Sequence, residues 1–127
     1  MYQQLTVIGN LGRDPEMRFM PDGKAVTSLS VASNRKYTNN GQQVKETTWF
    51  NVSVFGTMAE HCNNFLHKGS RVMVVGRLNP DKETGSPKVY ESNGRHGASY
   101  DVIAERVVFL SFDQQDQGEQ EETQVPF

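Results

Sequence analysis

The segment TTWFNVSVF, residues 47–55, is the part of this chain richest in β-branched and aromatic side chains, and it reads as the strongest strand. Side chains on a strand alternate between faces, so Phe50, Val52 and Val54 share one side while Trp49, Asn51, Ser53 and Phe55 share the other. The first set is uniformly apolar and suits a barrel interior or a subunit contact. The second leaves two large aromatics among polar neighbours, where exposed rings need a reason. One reason is a second small core beneath Trp49 and Phe55. The other is base stacking, in which each aromatic platform contributes roughly 1–3 kcal/mol without reading sequence.

Working outward, AVTSLSVAS (residues 25–33) alternates, with Leu29 and Val31 on one face and Ser28 and Ser30 on the other, the pattern of a half-buried strand. TNNGQQVKE (residues 38–46) is expected to be a polar hairpin loop between these two strands. QLTVI (residues 4–8) reads as a first strand, followed by turns at Asp14-Pro15 and Met20-Pro21-Asp22-Gly23. After Gly56 the period changes. Met58, Cys62, Phe65 and Leu66 form the apolar stripe of a short helix, expected to start on a capping box of Thr57 and Glu60 and to end at Lys68-Gly69. SRVMVVGRL (residues 70–78) is a fourth strand, residues 79–97 a long loop rich in Gly, Pro and Asn, and residues 99–112 a last strand. Five strands with one helix between the third and fourth predict an all-β chain folded as an oligonucleotide-binding barrel, the OB-fold.

A length of 127 residues suits one compact domain, expected over residues 1–112. The net charge of −2 hides an asymmetry. All 13 Lys and Arg precede residue 113, against ten acidic residues there, whereas residues 113–127 hold five acids and no base. A basic body with an acidic tail is the expected organisation. The tail, DQQDQGEQEETQVPF, has too little apolar surface to offset the entropy of ordering it and is expected to be disordered. No stretch approaches the roughly 20 apolar residues of a membrane span, and the amino terminus has neither the regions of a signal peptide nor the Arg-rich run of a transit peptide. An intracellular, cytoplasmic chain is the expectation, consistent with the single cysteine, Cys62.

Basic residues flank the candidate platforms. Arg35 and Lys36 stand beside Tyr37 at the end of the second strand, and Arg71 and Arg77 share the odd-numbered face of the fourth; these are the candidates for tracking phosphates. Arg13, Arg18, Lys24 and Lys45 rank below them as lone surface charges, with Arg18 kept as the last of the phosphate set. Tyr37 has a plainer reading as an ordinary hairpin aromatic. Catalysis has little to stand on. His61 and His67 lie on different faces of the expected helix, His96 is in a loop, no Cys/His spacing offers a metal site, and Cys62 belongs to the apolar stripe. No phosphate-cradling or dinucleotide-binding glycine loop is present. Neither metal nor cofactor is expected.

Four blocks, GNLGRDPEMRFMPDGKAV (residues 9–26), ETTWFNVSVFG (46–56), AEHCNNFLHKGSRVMVVGRL (59–78) and AERVVFL (104–110), closely resemble successive blocks of bacterial single-stranded DNA-binding proteins. The closing Val125-Pro126-Phe127 after a run of acids resembles that family's acidic tip. The resemblance implies a homotetramer of barrels that binds single-stranded DNA during replication, recombination and repair. It also implies a nucleoid-associated location and a tip, Glu121, Glu122, Val125, Pro126 and Phe127 here, that recruits partner proteins. Three stacking aromatics carry over, Tyr37 where the family usually has Trp, then Trp49 and Phe55. A fourth does not: Glu83 stands where relatives often place a Trp, with Tyr90 the nearest substitute. The rival readings are a primosomal adaptor on the same barrel, with secondary DNA binding, a small hydrolase, and an RNA binder. Absence of a nucleophile-base constellation disfavours the hydrolase, and the Trp49/Phe55 pair with the Pro-Phe tip disfavours the adaptor.

Overall fold

The alternation in the two strongest strands places Thr27, Leu29 and Val31 opposite Val54, Val52 and Phe50, and these residues line one side of a closed barrel. A computed structural model describes residues 1–110. The elements are β1 (Leu5–Leu11), β2 (Glu16–Phe19), β3 (Ala25–Asn39), β4 (Gln42–Phe55), α1 (Thr57–Phe65), β5 (Arg71–Leu78), β6 (Lys88–Ser92) and β7 (Arg95–Phe109). Strand β1 pairs with β5, β5 with β7, β7 in parallel with β4, β4 with β3, and β3 returns to β1 through Asn10↔Ala32 and Leu11↔Val31. Five strands therefore close the barrel, while β2 extends the edge of β3 and β6 pairs with β7.

The core inside is built from small branched side chains. Val7, Leu11, Leu29, Val31, Val52, Val54, Val72, Val74, Val102 and Val107 are all buried, and β-branched residues suit the crowded interior of a narrow barrel. Helix α1 packs on this core through Ala59 and Cys62, with Leu66 just beyond its end. Thr27 Oγ1 donates a buried 2.7 Å hydrogen bond to the Ala59 carbonyl and ties the helix to β3.

Several local expectations are corrected. The capping box does not form: Gly56 is the N-cap and no side chain bonds the helix start, because Thr57 already lies inside the first turn, where its hydroxyl has no cap position to occupy. The helix gives way at Leu66 to extended backbone, before Lys68-Gly69, and Gly69 instead donates its N–H to the Leu11 carbonyl. Residues 38–46 are no loop. Strands β3 and β4 continue through them to a two-residue turn at Asn40-Gly41, both at positive φ (53° and 77°), the geometry that matches strand twist. The expected loop over residues 79–97 likewise contains a hairpin, β6 with the start of β7, turning at Asn93-Gly94 (φ 53° and 77°). The short strand β2 was also unforeseen. The proposed boundary at residue 112, the acidic tail of residues 113–127 and its tip lie outside the described residues.

Candidate nucleic-acid interface

Because directly opposed residues share a face, the ladders map the outside of the barrel row by row. Ala32 opposes Trp49, Ser30 opposes Asn51, Ser28 opposes Ser53 and Val26 opposes Phe55. Trp49 and Phe55 are half-exposed, at 52% and 41%, and six residues apart on one strand face they lie roughly 20 Å apart. Between them run short side chains, so the surface is a shallow track. The Trp49 ring lies against Gly12, where a Cβ would come within 2.5 Å of ring carbon Cζ3. Any larger residue at position 12 would displace the ring.

Each exposed ring has a guanidinium in its own row. Arg18 opposes Val26, which opposes Phe55. Arg71 opposes Asn10, Asn10 opposes Ala32, and Ala32 opposes Trp49. At the strand spacing of about 4.8 Å, these guanidinium-bearing backbones lie roughly 10 and 14 Å from those of the rings. Arg71 Nε also donates to Asn10 Oδ1 at 3.3 Å, and Asn10 Nδ2 donates to the Gly69 carbonyl at 2.9 Å. Asp14 Oδ1 accepts from the Lys68 N–H at 2.7 Å. The GNLGRDP run thus bonds the turn after α1 to the strand beside Trp49.

The outer arm of the β3–β4 hairpin carries Lys36 directly opposite Lys45, on the Trp49 face. Neither lysine has a carboxylate partner among the described residues. Opposed like charges destabilise a ladder, so this pair stands ready for an anion. Sequence reasoning had left Lys45 aside as a lone charge; the register that reveals it follows from the Asn40-Gly41 turn. Arg18, ranked last, proves to share a row with Phe55.

The structure separates other residues of the set. Tyr37 opposes Val44 and Arg35 opposes Glu46, on the face of the ribbon opposite Trp49. There the Arg35 guanidinium lies 5.0 Å over the Tyr37 ring and 3.6 Å from Glu46 Oε1, while Tyr37 Oη donates to Glu46 Oε2 at 3.4 Å. Arg77 is exposed in a third row, opposite Ile103, which opposes Ser53.

Two aromatics missed as a pair, Tyr90 on β6 and Tyr100 on β7, join Trp49 around a cleft of about 870 Å³ between the two hairpins. The pocketed thiol belongs to none of this: burial pushes Cys62 up to about 11, which keeps it protonated and inert near neutrality. Among the described residues no cluster of His, Cys, Asp or Glu could hold a metal ion, and no helix is long and apolar enough to cross a membrane.

A closed five-stranded barrel with this strand order and a helix between its third and fourth barrel strands is an OB-fold. The chain belongs to the single-strand binding protein family, whose family model matches residues 2–110. It is 36% identical over 108 residues to a single-stranded DNA-binding protein of Neisseria meningitidis, covering 84% of this chain and 59% of that one. It is 42% identical over 79 residues to one of Helicobacter hepaticus, covering 61% and 46%. The chain therefore spans about half the length of these relatives. Among solved structures, the single-stranded DNA binding protein from Thermus aquaticus aligns with a TM-score of 0.66 and 29% identity, over 85% of this chain and 50% of that one. The small single-stranded DNA-binding protein from Streptomyces coelicolor shares the fold, with a TM-score of 0.69 and 20% identity over 89% and 95%.

Proposed function

We propose that this protein binds single-stranded DNA without sequence preference and protects it during replication, recombination and repair. The observation that carries the reading is the pairing, row by row, of an exposed ring with a cation: Trp49 with Arg71, Phe55 with Arg18. Stacking and phosphate neutralisation are both indifferent to sequence, and family membership supports the same ligand. Duplex DNA binds poorly on this reading because its bases are already stacked. Lys36 and Lys45 continue the cationic track along the arm, with Arg77 flanking it, while Tyr37, steadied by Arg35 and Glu46, serves strand passing the other face of the ribbon.

The same reading includes assembly into a homotetramer. Ile8 opposes Met73 and Met73 opposes Val108 on the outside of the barrel, an apolar stripe suited to a subunit contact, and the ladder between β1 and β3 covers only Asn10 and Leu11. Recruitment of replication and repair proteins falls to Glu121, Glu122, Val125, Pro126 and Phe127, whose aromatic ring and acidic side chains suit an apolar pocket rimmed by basic residues. A cytoplasmic, nucleoid-associated location completes the proposal.

The test is a titration of Trp49 fluorescence, the chain having one tryptophan, with oligo-dT and with duplex DNA at low and moderate salt. Strong quenching by oligo-dT alone, persisting at moderate salt, is the expected result. Absence of quenching with both would place Trp49 in a contact between proteins and favour the adaptor reading.

A further inference from the structure

The β3–β4 arm carries its charges unequally. On the Trp49 face the opposed pairs are Asn34 with Thr47, Lys36 with Lys45 and Thr38 with Gln43, two cations and no acid. On the reverse face they are Arg35 with Glu46, Tyr37 with Val44 and Asn39 with Gln42, where one cation meets one acid. The arm is doubly positive on one side and neutral on the other.

A single carboxylate makes the second side neutral. Glu46 Oε1 lies 3.6 Å from Arg35 Nη1, and Glu46 Oε2 accepts from Tyr37 Oη at 3.4 Å, so its two oxygens hold two side chains of the facing strand. The Arg35 guanidinium in turn lies over the Tyr37 ring, 5.0 Å from its centroid. Both contacts of the carboxylate are longer than close charge-assisted bonds of roughly 2.5–2.9 Å, and the Arg35 and Glu46 side chains are 74% and 52% exposed. An exposed pair of this kind is weak and screened by salt. It cancels a charge and is readily displaced.

From this geometry we propose that Glu46 sets the order in which the two faces of the arm take up a strand. It competes with phosphate for Arg35, so the Trp49 face fills first and the reverse face is engaged by displacing the carboxylate. A phosphodiester offers two oxygens to the planar fork of a guanidinium, whereas Glu46 has one of its oxygens turned to Tyr37. Lys36 and Lys45 present no such obstacle, having no carboxylate partner among the described residues. Displacement frees the Tyr37 hydroxyl along with the guanidinium, so the two side chains become available together. This role rests on the single-strand reading above.

The experiment measures the affinity of the full chain for labelled oligo-dT by anisotropy at several salt concentrations. It compares wild type, Glu46→Gln, the double variant Arg35→Gln/Glu46→Gln and Glu91→Gln, with circular dichroism and melting curves as a check on folding. Glu46→Gln keeps an acceptor for Tyr37 and removes the charge. It is expected to tighten binding about two- to fivefold at low salt and to steepen the slope of log K against log salt by about 0.7, one added phosphate contact. The double variant has the net charge of wild type and should return to the wild-type slope. Glu91, 3.4 Å from His96 on the other hairpin, supplies the same change of net charge at a distance, and Glu91→Gln should leave the slope unchanged. No steepening in Glu46→Gln, a gain that persists in the double variant, or an equal gain in Glu91→Gln would overturn the role while leaving single-strand binding intact. Failure of the wild type to bind oligo-dT at all would instead sink the function on which the role depends.

Discussion

Gly12 and the Trp49 ring are in direct contact across the barrel surface, with room for no side chain between them. The glycine directly follows β1 at the end of the GNLG run and the tryptophan belongs to β4, so two distant sequence blocks meet at one platform. Gly12→Ala is expected to push the ring from its seat, shift the tryptophan emission maximum and weaken oligo-dT binding about fivefold or more, within the range of one lost stack. Steady-state fluorescence and a binding titration on the same sample check this. An unchanged spectrum with unchanged affinity would mean the ring has other ways to settle.

Lys36 and Lys45 make opposite contributions to stability and to binding. Replacing Lys45 by Gln relieves like-charge repulsion across the ladder, which should raise stability by about 0.2–1 kcal/mol. The same change should weaken binding to single strands and reduce the slope of log K against log salt by about 0.7, the share of one phosphate contact. Thermal melts and titrations at several salt concentrations read the two effects separately.

Thr27→Val keeps the shape of the side chain but removes the hydroxyl that donates to the Ala59 carbonyl. A loss of about 0.5–1.5 kcal/mol in urea unfolding is expected, because the helix loses its buried bond to β3. DNA affinity should be unaffected, since neither residue touches the outer track.

Cys62 provides a pH dependence with a defined sign. Burial raises its thiol from 9.0 to about 11, so the folded state favours the protonated form. The resulting stabilisation is fully present below pH 9 and is lost as pH rises through 11. Between pH 8 and pH 12 the stability of wild type relative to Cys62→Ala should fall by roughly 2–3 kcal/mol. Rapid reaction of the native thiol with a disulfide reagent at pH 8 would contradict this burial.

The barrel was legible in the sequence because its strands are one-sided: Leu29, Val31, Val52, Val54, Val72 and Val74 alternate with polar or less buried neighbours. The hairpin arms were not. Residues 34–39 and 42–47 are largely exposed, as are residues 89–92, so with little of either face buried there is no hydrophobic period to read. The legible signal was the Asn-Gly pair, present at residues 40–41 and 93–94, which marks a two-residue hairpin turn. Reading those pairs would have extended β3 and β4 and uncovered β6. Trp49 and Phe55 could be placed on one face from strand periodicity. The position of Tyr37 on the other face depends on an uninterrupted register through the whole arm, which composition does not reveal.

Strand β7 is the last strand described along the chain, yet in the sheet it lies between β5 and β4, joining Phe50 to Tyr100 across fifty residues of sequence. A ribosome-bound chain that has not yet released β7 therefore holds two open sheet edges that have no means of meeting. Contacts of such separation slow folding, and unpaired edges invite association with other chains. Truncations within residues 95–109 remove the element that closes one open sheet, β5-β1-β3-β4, into a barrel. Nascent chains of this protein remain vulnerable until almost the whole domain has emerged.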